Sequence, residues 1–231
     1  MIQPPGVPSL DGYVDRNAAL LELAAGKSVL HLGCVGFTDC TPDEKVAQAP
    51  ATLHAALSRV SRCVGVDLDA VTIQQLQARG VFDNVLVGDV EDLSCLRGHQ
   101  PFEVVVAGDI IEHVSNPGRM LDQAREYLAP GGLLAVSTPN AYGLPAFLRM
   151  LAGRHSEGAQ HVLNFNPITL AQLLTRHGYE VVRARSCFQQ HARTSALFPV
   201  LSRALGRVPR LGGTLLFECR VASSWAAGPD A

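Results

Sequence analysis

Residues 28–36, Ser-Val-Leu-His-Leu-Gly-Cys-Val-Gly, constrain the fold of this chain more than any other segment. They read as a buried strand over Ser28–Leu32 that runs into a glycine turn. Val64-Gly65-Val66-Asp67 follows as a second strand ending in a carboxylate. Strand, glycine turn, helix, strand and acid are the parts from which an open α/β sheet builds a nucleoside pocket. The turn offers backbone N–H groups at a helix N-terminus, and the acid accepts hydrogen bonds from a ribose diol.

A dinucleotide fingerprint, G-x-G-x-x-G, fits poorly. Val35 stands where the second glycine lets a pyrophosphate approach the backbone, and Thr38 stands where the third belongs. Gly36 falls one place late. A nicotinamide oxidoreductase stays open as a reading that cofactor preference separates.

Three further segments complete an ordered set. Residues 84–89, Asn-Val-Leu-Val-Gly-Asp, read as a third strand ending in Gly-Asp. Residues 102–109 are a fourth, running into Ile110-Ile111-Glu112-His113-Val114. Residues 131–140 are a fifth, entered through Pro130-Gly131-Gly132. In order and spacing these motifs resemble the class I S-adenosylmethionine-dependent methyltransferases, in particular the branch of the ubiquinone-biosynthesis O-methyltransferases and many sugar and natural-product methyltransferases. The resemblance covers residues 14–190. It implies a Rossmann-like, seven-stranded, mostly parallel sheet with an antiparallel C-terminal edge pair and helices on both faces.

The resemblance also implies S-adenosylmethionine as cofactor. Gly33, Cys34 and Gly36 would let the turn approach its methionyl part and ribose, and Asp67 would bind both ribose hydroxyls. Leu68 would pack on the adenine, Asp89 would accept from the adenine amino group, and Val90 would lie beside it. Gly108 and Asp109 would stand where the methionine end meets the substrate. Three of these have a plainer reading: a tight turn without ligand for residues 33–36, and a helix cap for Asp67 (Asp69 is the better candidate) and for Asp89. Two positions depart from the pattern. His31 replaces the usual Asp or Glu near the cofactor's amino group; a cationic imidazole repels that ammonium, a neutral one accepts a hydrogen bond. Val35 in place of glycine narrows the turn. A non-catalytic cofactor-binding relative acting as a partner subunit therefore stays open.

The 231 residues suffice for one α/β domain with a full core. A net charge of −2 argues against an electrostatic nucleic-acid binder. The N-terminus lacks a charged region followed by an apolar core, and no apolar run approaches a membrane span. The six cysteines show no zinc spacing, so free thiols in a reducing cytoplasm are expected. A small-molecule acceptor is the expected partner, and a homodimer stays open.

Residues 1–11 are rich in Pro and Gly and read as a flexible N-terminus; 12–231 read as a single domain. Helices are expected over 13–25, 51–60, 70–79, 90–97, 117–128 and 167–177, and late strands over 180–187 and Thr214–Val221. Gly33 and Asp67 lie 34 positions apart, where the pattern needs about twenty. Residues 37–50 therefore read as an insertion, either a lid or interface or a plain surface loop. Residues 142–160 and 192–213 are further insertions. The last carries Leu197, Val200, Leu201, Leu205 and Val208 with Arg203, Arg207 and Arg210: a flap, packing or a membrane contact.

Methyl transfer is an in-line displacement at a sulfonium, and a hydroxyl acceptor must also lose a proton. His113 and His161 are the candidate catalytic residues. Asp109, Glu112 and His113 share a face if their segment is helical, and His161 precedes the 167–177 helix in a His-x-x-x-Phe segment resembling the family's. The same four residues resemble the divalent-metal site of some relatives. Similar Glu-His pairs occur in metal-independent members, so a metal is not assigned. The expected activity is O-methylation of a sugar, phenol or natural product, with N- or C-methylation as the alternative.

Overall fold

The computed structural model describes residues 9–36, 39–154, 158, 160–188 and 206–226. Eight strands form one sheet: β1 (Tyr13–Asp15), β2 (Ser28–Leu32), β3 (Arg62–Asp67), β4 (Val85–Val87), β5 (Phe102–Gly108), β6 (Leu128–Pro139), β7 (Tyr179–Phe188) and β8 (Thr214–Val221). Their order is β1-β7-β8-β6-β5-β2-β3-β4. β8 runs antiparallel between β6 and β7, and the remaining pairs are parallel. The chain leaves β2 toward β3 and β4 on one side and returns to β5 and β6 on the other. That reversal opens a crevice at the carboxyl ends of β2 and β5, where α/β sheets bind ligands.

Among the described residues, seven helices of two turns or so and more flank the sheet, α1 (Arg16–Ala24), α2 (Pro42–Gln48), α3 (Leu53–Val60), α4 (Ala70–Ala78), α5 (Pro117–Glu126), α6 (Leu144–Leu151) and α7 (Pro167–Arg176), and a single turn, α8 (Ser223–Ala226), follows the last strand. Side chains alternate across β2. Leu30 and Leu32 enter a core with Met120 and Leu121 of α5 and Leu170 and Leu174 of α7. Val29 enters the opposite core, with Leu20 of α1 and Leu57 of α3. Each buried leucine is worth roughly 1.5–3 kcal/mol against exposure. The same alternation puts His31 on the Val29 side, facing α3.

Several expectations are corrected. The 13–25 segment is a short strand, then a helix: β1 pairs with residues 186–188 of β7, and Asp15 caps α1 by accepting from the Ala18 N–H. The sheet therefore has eight strands rather than seven, and β1 forms the edge beyond the antiparallel pair. The 37–50 insertion contains a helix, α2, started by a reciprocal Thr41–Glu44 capping box with Pro42 in its first turn. Its Val46 and Ala49 bury against Val35, and its Lys45 pairs with Asp69 at 2.7 Å. The 90–97 helix shrinks to a single turn at residues 93–96, which Asp92 caps.

Residues 109–113 form a turn instead of a helix, because Asp109 adopts φ +53°. α5 ends at Glu126, and residues 130–132 lie within β6, where a register shift separates Phe102 from Val104 on β5. Within 142–160 sits α6, which exposes Phe147, Leu148, Met150 and Leu151. Residues 1–8 and most of the 192–213 stretch lie outside the described residues; of the latter, 209–211 form a 3₁₀ turn. Among the described residues no helix is long and apolar enough to cross a membrane.

Candidate active site

The carboxyl ends of β2, β3 and β5 and the turn after β4 open onto one cleft of about 1230 Å³. All eleven residues singled out in the sequence line it: Gly33, Cys34, Gly36, Asp67, Leu68, Asp89, Val90, Gly108, Asp109, His113 and His161.

The glycine turn comes first. Gly33 has φ +70°, and a Cβ there would stand 2.9 Å from Ile110 Cδ1, so only glycine fits without displacement. The Val35 N–H donates to Asp67 Oδ2 at 2.9 Å, and the Asp69 N–H to Asp67 Oδ1 at 3.1 Å. Each carboxylate oxygen keeps a second lone pair, so Asp67 is held in place and can still accept from a diol. Asp69 takes the capping role, accepting from the Thr72 N–H and hydroxyl. Burial alone would raise its pKa; the bonds from Lys45 and Thr72 outweigh this and hold it below the ordinary value. Val35 turns into the α2–α4 core rather than across the turn.

Beyond Asp67, Leu68 is 67% exposed on the cleft wall, an apolar face for a flat ring. Asp89 is exposed and accepts from the Glu91 N–H at 2.8 Å; it caps no helix. At the other end, Asp109 is a strained residue fixed three ways. Its N–H donates to the Ser137 carbonyl at 2.9 Å, its Oδ1 accepts from the Ser137 hydroxyl at 2.7 Å, and its Oδ2 pairs with Arg16.

Two histidine pairs flank this end. His31 and His54 stack with ring centroids 5.6 Å apart, and both are buried. Burial, then the neighbouring His54 and Arg16, hold the His31 pKa well below 6.5, so its ring is neutral. His113 and His161 meet edge to face at 4.7 Å and are half-buried. His113 Nδ1 lies 3.2 Å from the Gln160 carbonyl, which only accepts; the ring is thus protonated at Nδ1 and bare at Nε2 when neutral. His161 Nδ1 accepts from the Gly158 N–H at 3.3 Å.

Glu112 lies beneath them. Its Oε2 accepts from the Thr138 hydroxyl at 2.9 Å, while its Oε1 is buried without a hydrogen-bond partner. Burial, and then the charge of Asp109, push its pKa up to about 7. Ligand atoms of Glu112, His113 and His161 fall within 4.8 Å of one another. Asp109 stands apart, committed to Arg16 and Ser137.

A methyltransferase-domain family model matches residues 12–184, which is most of the chain. The chain belongs to this methyltransferase-domain family. The motif resemblance read from the sequence is thereby borne out. The chain is 27% identical over 138 residues to a protein named ubiquinone biosynthesis O-methyltransferase from Nitrobacter winogradskyi, covering 54% of this chain and 44% of that protein. It spans about half the length of the curated relatives it matches. Among solved structures it resembles the CcbJ methyltransferase of Streptomyces caelestis, with a TM-score of 0.58 at 19% identity over 94% of this chain and 91% of that one. It also resembles the N-methyltransferase NodS of Bradyrhizobium japonicum, solved in complex with S-adenosyl-L-homocysteine, with a TM-score of 0.53 at 18% identity over 89% of this chain and 85% of that one.

Two residues of this methyltransferase-domain chain escaped sequence reasoning. Nothing in the sequence marks Arg16 within the expected 13–25 helix; the start of α1 at position 16 turns it into the cleft. His54 carried no signal beyond a lone histidine on a helix. Its position comes from Gly65, whose missing Cβ leaves room for the His54 ring and the Cys34 thiol, both within 2.7 Å of where that carbon would stand. The free, buried Cys34 thiol is held up in pKa by burial first, and is a packing group rather than a nucleophile.

Proposed function

We propose that this chain transfers a methyl group from S-adenosylmethionine to a hydroxyl of a small molecule, with His113 as general base. The observation that carries the reading is the order of groups along one cleft: an apolar ring platform at Leu68, a held carboxylate at Asp67, a glycine turn of positive φ, then an imidazole with a bare Nε2. When bound, the cofactor supplies a methyl group already activated as a sulfonium. Asp67 holds the ribose hydroxyls, Leu68 and Val90 flank the base, and Asp89 accepts from its amino group. Arg16 presents its guanidinium to the methionyl carboxylate. His113 Nε2 takes the acceptor's proton, and His161 orients the ring beside it.

A hydroxyl is favoured over an amine by the accessible imidazole, since an alcohol or phenol must lose a proton to attack. The relatives named ubiquinone biosynthesis O-methyltransferase support the same choice. A second reading adds a divalent ion held by Glu112, His113 and His161, where it would polarise the acceptor oxygen. The orphaned, buried Glu112 Oε1 and the mixed carboxylate–imidazole donors fit such an ion.

The test uses methyl-labelled S-adenosylmethionine with a panel of phenols, sugars and amines, in Mg²⁺ and in EDTA, with NADH binding as control. Label on hydroxyl acceptors is the expected result. Transfer to amines alone, or binding of NADH in place of the sulfur nucleosides, contradicts it. Loss of transfer in EDTA selects the metal-assisted version.

A further inference from the structure

We propose that the inserted helix α2 braces the ribose end of the cleft, and that Lys45 is the positioning residue through which it sets the Asp67 carboxylate. The inference rests on the cofactor assignment above. It adds a role for residues 37–50, the stretch that makes the Gly33–Asp67 spacing 34 positions where about twenty suffice.

Two backbone N–H groups hold the Asp67 carboxylate: Val35 on Oδ2 at 2.9 Å and Asp69 on Oδ1 at 3.1 Å. Neither donor belongs to a strand. Val35 lies in the turn after β2, and Asp69 lies two residues beyond the end of β3. α2 reaches both. On one side its Val46, with Ala49 after it, buries against the Val35 side chain, together with Ile73 and Leu76 of α4. On the other side Lys45 Nζ donates to Asp69 Oδ2 at 2.7 Å. One helix thus grips each of the two residues whose N–H groups hold the carboxylate. Val35 and the added length at 37–50 belong together in this arrangement, because a glycine at position 35 would offer α2 no side chain to pack on.

Asp69 also accepts from the Thr72 N–H at 3.0 Å and from its hydroxyl at 2.7 Å. Thr72 is part of α4, so that contact ties Asp69 to its own helix. Lys45 comes from a different element and ties Asp69 to the glycine turn. The pair is shielded, with the Lys45 side chain 12% exposed and that of Asp69 24%. Removing one partner of such a pair leaves the other charge uncompensated. The second ion pair between these helices, Arg79 with Asp43, is exposed on both sides and contributes little. Charge adds to the effect. Asp67 and Asp69 both line the cleft, and among the described lining residues only Lys45 and Arg16 are lysine or arginine. Arg16 is committed to Asp109 at the other end. Lys45 is therefore the cation that lets the two carboxylates stand side by side.

If Lys45 acts on the cofactor only through Asp67, its effect vanishes when that carboxylate is gone. Calorimetric titration with S-adenosylhomocysteine of the unaltered chain, Lys45→Met, Asp67→Ala and the double variant reads this coupling. Lys45→Met is expected to weaken binding by about tenfold in the unaltered background. In the Asp67→Ala background it should change binding by no more than about twofold. Lys45→Arg, which keeps the charge and a donor, should recover most of the affinity. An equal loss in both backgrounds would make Lys45 a direct contact or a general prop of the fold and overturns the inference, as does no loss in the unaltered background. Lys45→Gln, which keeps a neutral donor, carries the same comparison and the same two outcomes if the methionine variant does not fold. Failure of S-adenosylhomocysteine to bind the unaltered chain, or unaltered affinity in Asp67→Ala alone, overturns the cofactor reading instead.

Discussion

The two histidine pairs at the Asp109 end of the cleft use the same side chain in opposite ways. His31 and His54 are stacked, buried and neutral, with His31 Nδ1 3.4 Å from His54 Nδ1 and His54 Nε2 3.4 Å from Asn84 Oδ1. His113 and His161 are edge to face and half-buried, with Glu112 beneath them. The difference comes from packing. β2 alternation drives His31 into the face covered by α3, whereas His113 sits in a turn that the positive φ of Asp109 swings outward. Burial makes one pair a fixed hydrogen-bonding device, and exposure leaves the other able to exchange protons with a substrate.

The sharpest way to break this comparison is His113→Ala. With any hydroxyl acceptor that reacts, the transfer rate should fall by ~10²–10⁴-fold while S-adenosylhomocysteine affinity is unchanged. A loss of affinity without a loss of rate would make His113 a cofactor residue and erase the distinction.

Stability against pH separates the two regions next, because their shifts have opposite signs. Glu112 binds its proton more tightly folded than unfolded, at about 7 against an ordinary 4.5. Its contribution, about 3 kcal/mol by linkage, is complete below the unfolded value and is lost as pH rises through about 7. His31, held well below 6.5, contributes fully above that value and loses its contribution as pH falls beneath it. Thermal denaturation between pH 5 and 8 should therefore flatten on the alkaline side in Glu112→Gln and on the acidic side in His31→Leu. Identical profiles for both variants would mean that neither environment is as described.

Asp67→Ala sharpens the comparison from outside, since the carboxylate proposed to hold the ribose is bonded to the Val35 and Asp69 N–H groups and to neither pair. It should weaken S-adenosylhomocysteine binding by about tenfold to hundredfold, the loss of one charge-assisted hydrogen bond or more. Unaltered affinity would remove the ribose assignment.

How much of this was legible in the sequence follows from what is local. The strand ends Gly33, Asp67, Gly108 and Asp109 were readable because a strand that stops at a glycine or an acid carries its own signal within a few residues. β1 was not, since three residues between loop and helix cannot show a period of two. The capping box at Thr41–Glu44 was written in the chain, yet the unusual length of 37–50 suggested a loop. The turn at 109–113 has helical spacing, and only the backbone angle of Asp109, fixed by β6 and α1, decides otherwise. His54 and Arg16 owe their places to contacts from distant elements, which spacing along the chain does not encode.

The central proposal is that Asp67 holds the cofactor while the half-buried histidine pair acts on the acceptor. Calorimetric titration with S-adenosylhomocysteine of the unaltered chain, Asp67→Ala and His113→Ala tests it without knowledge of the acceptor. The account predicts micromolar binding for the unaltered chain, at least about tenfold weaker binding for Asp67→Ala, and unaltered binding for His113→Ala. Equal weakening in the two variants, or no binding to the unaltered chain, would contradict it.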